Sequence, residues 1–578
     1  MSASFLHGIE TIETTVGPLP VTVVKSAVIG LIGSAPMFAA PGALQRWNGD
    51  TVYPLGAEIL DSNGNVQEAT VAGTSVTTDT EPTWATSVGS TTTDNTVTWT
   101  CVKLAADLGI VNNPTLVGSV AGAAAFGPMI QGFSVPYALS QIMEQGSGQI
   151  IVINVFDITK HNTTISAAPY TFPATGVQAI SLGHMGVGLV KVTNSGGSTT
   201  YINGTDYTLD QVNGVILQKN GGAMTAGEAI KVTFTYADPS KVADNDLIGS
   251  YAGGVYTGIQ ALKTTYNTMG FFAKILIAPA AALNSGGQTV SGADPTVASA
   301  LDSMAQSLRA MALVDAPPAT PIATALSNRG TVGNTFDTSS KRTILCYPNL
   351  KFEDEGIVPT GITFNSSGVA VQNVSNAVVD GPYTPWVAGC IANKDIQLGY
   401  WYSPSNTPLV GPLGGDVSMY SSVFDAASDT NNLNAAGIVT VFNAFGLGLR
   451  VWGNRSSAYP STTDPDNFIP VRRTMDVLEE SLELFAMQFL DGPISNALIT
   501  AIVTSTNGFV QTLIQRGALV GGSVSYDPGD NPASQIAAGQ LVFRVDVMPP
   551  PPAERLTFQT KIDVTLLNTL GTNAVQAA

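Results

Sequence analysis

The clearest pattern along the chain is an alternation of short apolar runs with amphipathic stripes. Consecutive apolar residues at 27–32 and 149–157 are typical of strands that are buried on both faces. Between residues 241 and 380, helical stripes alternate with further short strands, which are predicted at 273–279, 311–315 and 342–348. Because regular helix–strand alternation is typical of crossover connections, the pattern predicts an α/β core with a mostly parallel sheet.

The last third of the chain carries the most regular helical pattern. Apolar residues recur there at steps of three and four, from Met475 to Phe489, and this spacing predicts one amphipathic helix. The acidic residues between them, Glu479, Glu480 and Glu483, are predicted to face water. Pro493 is predicted to open a second helix and Gly517 to close a third, and a strand is predicted at 540–548.

Both ends of the chain have the pattern of extended arms. Residues 1–24 are polar with sparse apolar positions, which include Ile9 and Ile12. At the other end, the four prolines 549–552 are followed by a segment whose alternate residues are apolar. The apolar face of this predicted arm strand, residues 554–567, comprises Leu556, Phe558, Ile562, Val564 and Leu566.

Two polar, Thr- and Gly-rich segments interrupt the first half of the chain. Residues 41–108 and 160–240 show the alternation and turn residues of half-buried strands, and each is predicted to be an inserted β module. Tryptophans are concentrated in the first module. They either form the core of so small a domain or stack on sugar rings, and the core is the favoured interpretation: Trp47, Trp84 and Trp99.

Together the patterns predict an α/β and α+β multidomain protein. It has an α/β core with a mostly parallel sheet, a helical C-terminal core, two inserted all-β domains, and extended N- and C-terminal arms. The predicted boundaries are 1–24 for the N-terminal arm, 25–40 with 109–159 for the first part of the host domain, 41–108 and 160–240 for the insertions, 241–380 for the α/β domain, 381–548 for the C-terminal core, and 549–578 for the proline linker and arm strand.

The amino-acid composition limits the classes of function that the protein can have. Only 11% of the residues are charged, which suggests a protein that hides much of its surface against other subunits. The net charge of −18 argues against nucleic acid as a partner, because binding requires a basic face. No apolar run approaches the ~18 residues that a membrane span needs. The three cysteines are interpreted as small buried hydrophobes.

No pattern of catalytic or metal-binding residues stands out. The three histidines, His7, His161 and His184, lie far apart, and none has the spacing to a carboxylate or thiol that a triad or metal site requires. Phosphate-binding loops, dinucleotide fingerprints and nucleophile elbows are not found in the sequence. The expectation is a non-enzymatic protein with no cofactor and no bound metal.

Three segments of the C-terminal half resemble a known family. They are GCIANKDIQLGYWYSPSN (389–406), LNAAGIVTVFNAFGLGLRVWGNR (433–455) and FIPVRRTMDVLEESLELFAMQF (468–489). In this order they resemble the core of contractile-tail sheath proteins of bacteriophages. GPLPVTVVKSAVIGLIGSAP (17–36), VDAP (314–317) and the final MPPPPAERLTFQ (548–559) fit as well. The resemblance covers most of the chain outside the two β insertions.

The resemblance implies a structural subunit with defined partners. Members of the family form hexameric rings stacked around a rigid tube, and the lattice contracts to drive the tube through a bacterial envelope for genome delivery. The implied partners are other copies of the chain, a tail tube protein, and baseplate and tail terminator proteins. The implied location is the virion tail after assembly in the host cytoplasm. The predicted self-assembly residues are those of the arm strands: Ile9, Ile12, Leu556, Phe558, Ile562 and Val564.

Five residues of the resembling segments are singled out: Arg450, Trp452, Arg455, Arg472 and Arg473. Strand periodicity places Arg450 and Trp452 on one face of a hairpin around 443–446, where a guanidinium can stack on an indole. Arg472 and Arg473 lie near the start of a helix, where cations are disfavoured by about 0.3–1 kcal/mol, so they are expected to have acidic partners. Those partners belong either to a neighbouring subunit or to the same domain, where the ion pairs would only fix the core.

A different class of function remains as the alternative. A secreted or surface adhesin could use the tryptophan-bearing insertion to bind glycans. The α/β core, the arms and the lack of a recognisable signal peptide favour the sheath.

Overall fold

An eight-stranded sheet forms the centre of the protein, whose computed structural model describes residues 21–77, 80–146, 148–280, 294–443 and 445–569. All strand pairs are parallel except those at the two edges, which confirms the prediction of a mostly parallel sheet. In spatial order its strands are Leu449–Trp452, Ile438–Asn443, Thr343–Cys346, Met311–Asp315, Ile275–Ile277, Val28–Gly33, Gln149–Asn154 and Thr115–Val117. The sheet therefore takes strands from both sides of the boundary predicted at 380/381.

Both faces of the central sheet are covered, which explains why its strands read as continuous apolar runs. Ile29 and Leu31 pack towards the helices Val135–Glu144 and Thr384–Gln397. Their neighbours in the same strand point to the opposite face, where helix Pro295–Leu308 lies. That helix begins as its sequence predicts, because the Asp294 carboxylate accepts a hydrogen bond from the Thr296 amide at 2.8 Å.

The VDAP segment ends one strand of the sheet and caps a helix. The Asp315 carboxylate accepts hydrogen bonds from the backbone amides of Tyr383 and Thr384 at 2.8 and 2.9 Å, at the start of helix Thr384–Gln397. The Thr384 hydroxyl donates a third at 2.6 Å. Burial raises the pKa of Asp315 to about 6, although these three hydrogen bonds oppose the shift.

We expect Asp315 to make the protein more stable at mildly acidic pH. Its folded pKa of about 6 exceeds the ordinary value of 3.8, so between these values the folded chain binds a proton more tightly than the unfolded chain. This contribution is complete below the unfolded value and is lost as the pH rises through 6. Between pH 7 and pH 5, urea titrations should show the parent gaining about 1 kcal/mol relative to Asp315→Asn. An equal pH response in the two proteins would contradict the assignment.

Each predicted β insertion contains its own sheets, and the tryptophans of the first are core residues. Trp47, Trp84 and Trp99 are at most 5% exposed and pack edge to face, so they are not available to stack on sugars. The first insertion consists of the strands Gln45–Arg46, Glu58–Leu60, Val66–Val71, Val97–Lys103 and Thr91–Asp94, with Val52–Tyr53 paired to Gly73–Thr74. The second consists of Asn162–Thr171, Ala229–Ala237, Gly188–Asn194 and Thr200–Tyr201, and of Ala179–Ser181, Val215–Gln218 and Tyr207–Asp210.

The two insertions bind to one another. The backbone amide of Arg46 donates to the Gln211 side chain at 2.8 Å, and its guanidinium donates to the Thr235 hydroxyl at 2.8 Å. The Val190 amide donates to the Asn48 side chain, also at 2.8 Å. Arg46 is only 7% exposed, so the contact is part of the packed interior and the first insertion is not an isolated appendage.

Two long helices and a small sheet make up the C-terminal region. Helix Ile469–Ala486 is present as predicted, but the two helices expected between Pro493 and Gly517 are a single helix, Asn496–Gln515. It begins at Ser495, whose hydroxyl accepts from the Leu498 amide, and no residue within it interrupts the hydrogen bonding. The strand predicted at 540–548 is shorter, Arg544–Met548, and it pairs with Gly521–Ser525.

By length and composition, helix Asn496–Gln515 could cross a membrane, since its mean hydropathy reaches 1.4, although the sequence analysis predicts no span. Phe509, Val510 and Leu513 in its second half pack against Leu478 and Val524, which accounts for part of its apolar character.

The remaining elements are short connections. The helices are Ala105–Leu108, Val120–Ala123, Asp244–Ile248, Thr265–Met269, Ile322–Ser327, Asp429–Ala435 and Ala533–Ala537. The strands are Tyr251–Ala252 with Val255–Tyr256, Thr363–Phe364 with Ala370–Val371, and Leu350–Glu353 between Val378–Gly381 and Gly414–Gly415. The three cysteines are free and buried, as predicted.

Candidate self-assembly interface

A row of basic residues lines the edge of the central sheet at which its parallel strands begin. Lys274 directly precedes strand Ile275–Ile277, and Arg342 directly precedes Thr343–Cys346. Arg309 lies two residues before Met311–Asp315. Because neighbouring parallel strands start at the same edge, these three cations form one row.

Helix Ile469–Ala486, the docking helix, covers this basic row with its acidic face. Lys274 pairs with Glu480, Arg309 pairs with Glu479 and Glu483, and Arg342 pairs with Asp476 at 2.5 Å. Asp476 and Glu480 are four residues apart, as are Glu479 and Glu483, so the four acids share one face of the helix. The prediction that this face is turned to water is wrong for Glu480, whose side chain is only 13% exposed, and holds for Glu483, whose side chain is 60% exposed. Burial lowers the pKa of Lys274, and the Glu480 carboxylate opposes that shift.

Arg472 and Arg473 find their acidic partners within the same subunit. Arg472 donates to Asp476 at 3.0 Å and to Glu479 at 3.1 Å on its own helix. Arg473 makes a two-point ion pair with Asp395, at 2.6 and 2.5 Å, with both side chains at most 5% exposed. These are the intradomain pairs that the sequence analysis left as one of two alternatives. Arg473 fastens the docking helix to helix Thr384–Gln397.

The predicted hairpin is present and holds Arg450 and Trp452 on neighbouring positions of one strand face. Arg450 is paired with Phe442 across the hairpin and donates to the Asn406 carbonyl at 3.0 Å. Trp452 packs on Phe442, with ring centres 4.8 Å apart, rather than on a guanidinium. The Trp452 ring nitrogen lies within hydrogen-bonding distance of the Asn434 side chain, at 3.2 Å.

Arg455 is the residue of this motif that stacks on aromatic rings. Its guanidinium lies 4.1 Å from the centre of the Tyr459 ring and 4.2 Å from that of Phe468. It also makes a two-point ion pair with Glu554, at 2.8 and 2.5 Å. Glu554 follows the proline linker, so Arg455 connects the body of the subunit to the start of the C-terminal arm.

The C-terminal arm carries a bare apolar surface. Leu556 is 74% exposed, Phe558 86% and Ile562 93%, and Val564 is 68% exposed. The strand predicted over 554–567 is not formed within the single subunit: residues 551–563 have no regular structure, and Val564–Thr569 is a 3-10 helix. An extended strand requires hydrogen-bonding partners for its backbone groups. No described strand of the same subunit pairs with the described part of this arm.

An open two-stranded sheet lies at the other end of the proline linker. Strands Gly521–Ser525 and Arg544–Met548 pair only with one another among the described residues. The Asn507 side chain occupies part of the outer edge of the first strand, because it bonds the Val524 amide and carbonyl at 2.9 and 2.7 Å. The outer edge of Arg544–Met548 has no strand partner among the described residues. Such edges are templates for a further strand. Val545 and Met548, 36% and 39% exposed, add apolar surface beside them.

The N-terminal arm leaves the subunit beside the same sheet. Val21 packs in the cluster that contains Val524 and Val547 of the two strands. The Val24 amide donates to Ser481 of the docking helix at 3.2 Å, so this part of the arm is held on the C-terminal region. The predicted arm residues Ile9 and Ile12, and His7, lie outside the described residues.

The structure holds no candidate for a catalytic or metal centre within the described residues. His161 pairs with Asp246 at 3.4 Å and His184 stacks on Tyr236, and no cluster of three or more metal-ligating side chains occurs in that part of the chain. The basic row, the Arg473–Asp395 pair and the Arg455–Glu554 pair were not predicted from the sequence as contacts. For the basic row, the available signal was the position of Lys274, Arg309 and Arg342 one or two residues before a strand, together with acids spaced as one helical face.

These features place the chain among mixed α/β multidomain proteins with an uncovered C-terminal arm. Family models for the phage tail sheath protein central domain and the phage tail sheath C-terminal domain match residues 254–457 and 462–563. A model described as a protein of unknown function matches residues 157–243, in the second insertion. A tail sheath protein of Burkholderia phage BcepMu is 39% identical over 573 residues, which cover 99% of each chain. The chain belongs to the phage tail sheath family.

More distant similarities extend to other sheath proteins. A tail sheath protein of Escherichia phage P2 is 25% identical over 310 residues, which cover 54% of this chain and 68% of that protein. Among solved structures, the helical sheath of the anti-feeding prophage in its contracted state aligns over 97% of this chain and 100% of that one, with a TM-score of 0.49 and 15% identity.

Proposed function

We propose that this chain is the repeating subunit of a contractile tail sheath. It polymerises as stacked hexameric rings around an inner tube and contracts to drive the tube through the bacterial envelope during genome delivery. The observation that carries the proposal is the exposed apolar arm, which begins at a proline linker beside an open two-stranded sheet, in a member of the tail sheath family.

The arm connects subunits by adding a strand to the sheet of a neighbour. Its own sheet, Gly521–Ser525 with Arg544–Met548, is an unfavourable target because residues 549–552 are proline and lead away from it towards Arg455. In a neighbour's sheet the arm becomes a strand with Leu556, Phe558 and Ile562 on one face. The N-terminal arm, whose described end lies beside the same sheet, is proposed to do the same.

Contraction is a change between two lattices of the same subunits. Connections through flexible arms let subunits slide and rotate without detaching, and the energy is stored at assembly because the extended lattice lies above the contracted one in free energy. The subunit hydrolyses nothing and holds no cofactor. Its role is structural.

The two ends of the subunit face different partners. No residue in the first half of helix Asn496–Gln515 is fully buried, and this helix lies in the C-terminal region, which we assign to the side of the tail tube protein. The two β insertions lie far along the chain from this region and decorate the outside. Baseplate and tail terminator proteins close the ends of the sheath, in a virion assembled in the host cytoplasm.

Negative-stain microscopy of the purified full-length protein tests this function. We expect hollow striated cylinders that are short and wide, since the extended lattice needs the tube as a template. Monomers that persist at high concentration and bind a glycan array would favour an adhesin. That alternative has lost its main support, because the three tryptophans of the first insertion are buried.

A further inference from the structure

The proline linker is supported at both of its ends. Pro549 is buried at the end of strand Arg544–Met548, and Glu554 is bound by Arg455. Between these points the linker spans a cavity of about 970 Å³, which Arg455, Trp452 and Tyr459 also line. Beyond Glu554, every residue from Arg555 to Leu567 is exposed.

Arg455 is itself rigidly held. Its backbone forms a bridge to Phe468, directly before the docking helix, and the Ile469 amide donates to the Asn454 carbonyl at 2.9 Å. The rings of Tyr459 and Phe468 enclose the guanidinium, whose side chain is 16% exposed. A planar cation between two rings has little freedom to follow a moving partner, so its two-point contact selects one position of the Glu554 carboxylate.

We propose that Arg455 and Glu554 form a latch that fixes the point at which the C-terminal arm leaves the subunit. Arg455 is then a positioning residue for assembly, which it serves without contacting the neighbouring subunit. This inference rests on the proposed function of the arm as a connector. With the latch closed, the arm starts at Glu554. With it open, the arm pivots about Met548, and six more residues extend its reach by about 18 Å in polyproline geometry.

The latch affects the rate of assembly because the arm must reach one sheet edge on a neighbouring subunit. A fixed starting point raises the effective concentration of the arm at that edge, and a longer flexible tether lowers it. Opening the latch should therefore slow polymerisation while leaving the final cylinders intact, since the finished lattice holds each arm at its far end. Because the Glu554 side chain is 43% exposed, salt should weaken the latch.

Limited trypsin digestion of the monomer before assembly reports on the latch directly. Trypsin cleaves after Arg555, which adjoins the latch, and after Lys561, which lies seven residues beyond Glu554 in the exposed arm. The ratio of the two cleavage rates within one chain is independent of global stability. We expect Arg455→Gln, which leaves the sequence around both cleavage sites unchanged, to raise this Arg555 to Lys561 ratio by roughly three- to tenfold. High salt should move the parent towards the value of the variant.

Two further variants control for charge and folding. Arg455→Lys keeps the positive charge but loses the planar two-point contact, and it should give an intermediate ratio. Lys160→Gln breaks the exposed pair with Asp157 in the second insertion and leaves the linker and the C-terminal sheet untouched, so its ratio and its polymerisation rate should match those of the parent.

The outcomes separate the latch from the function of the arm. An unchanged cleavage ratio in Arg455→Gln overturns the latch. A raised ratio with a parental polymerisation rate, followed by light scattering, overturns its positioning role. A parent that never polymerises refutes the proposed function, and the cleavage ratio still reports whether the latch exists.

Discussion

Truncation after Met548 should abolish polymerisation and leave a folded monomer. The segment removed, 549–578, contributes no strand to any described sheet, and the residues Arg555 to Leu567 are all exposed. The circular dichroism spectrum should therefore stay close to that of the parent. Cylinders should be missing from electron micrographs at concentrations at which the parent polymerises fully.

The size of this effect follows from the many weak connections in the lattice. One docked arm gains several backbone hydrogen bonds, each worth about 0.5–1.5 kcal/mol net. Two or three buried large side chains add about 1.5–3 kcal/mol each. Ordering a dozen residues costs about 1–2 kcal/mol for each, so a single arm binds weakly. Only a lattice that engages many arms at once holds, and loss of the arm removes every such contact together.

Truncation after Thr569 is the matched control, because it shortens the chain and keeps all described arm residues. It should polymerise like the parent. If the protein truncated after Met548 also polymerised normally, the C-terminal arm would not be the connector, and other contacts would have to hold the lattice.

Asp395→Ala should destabilise the monomer by about 3–5 kcal/mol, because it leaves the buried Arg473 guanidinium without its charge partner. The two side chains are 5% and 2% exposed, so water cannot replace the lost ion pair. Arg473 also donates to the Ser26 carbonyl at 3.2 Å. Displacement of the Arg473 side chain therefore also disturbs the segment that leads into the central sheet. Urea unfolding of the monomer, followed by circular dichroism, measures the change.

Arg544→Gln provides the comparison for an exposed pair. Its partner Asp530 lies on the surface, and the Arg544 side chain is 54% exposed, so the expected loss is only about 0–1 kcal/mol. The double variant Arg473→Met with Asp395→Leu should recover much of the stability, since apolar pairs can replace buried ion pairs. A loss below about 1 kcal/mol in Asp395→Ala would show that the Arg473 charge finds another partner.

The elements that the sequence predicts well are those with local signals. The buried strands Val28–Gly33 and Met311–Asp315 are continuous apolar runs, and Asp294-Pro295 marks a helix start by its own chemistry. The hairpin Ile438–Asn443 with Leu449–Trp452 follows from alternation. The resemblance to the sheath family then provided the prediction of function, which the local signals alone did not give.

The contacts that depend on distant partners could not be read from the sequence. Glu480 lies at a position of a helix that is ordinarily exposed, and only the fold brings Lys274 to it from more than 200 residues away. The two helices expected between Pro493 and Gly517 form one, since polar residues between Ile502 and Phe509 bond within the helix, as Thr506 does with the Ile502 carbonyl at 2.7 Å. The strand over 554–567 has a strand's pattern but needs a second subunit to form.

A helical reconstruction of the assembled cylinders by electron cryomicroscopy tests the central claim most directly. The account predicts rings of six subunits in which residues 555–567 of each chain form a strand on the Gly521–Ser525 and Arg544–Met548 sheet of a neighbour, with Leu556 and Phe558 buried. A lattice in which these residues remain exposed, or fold back on the sheet of their own subunit, would contradict it.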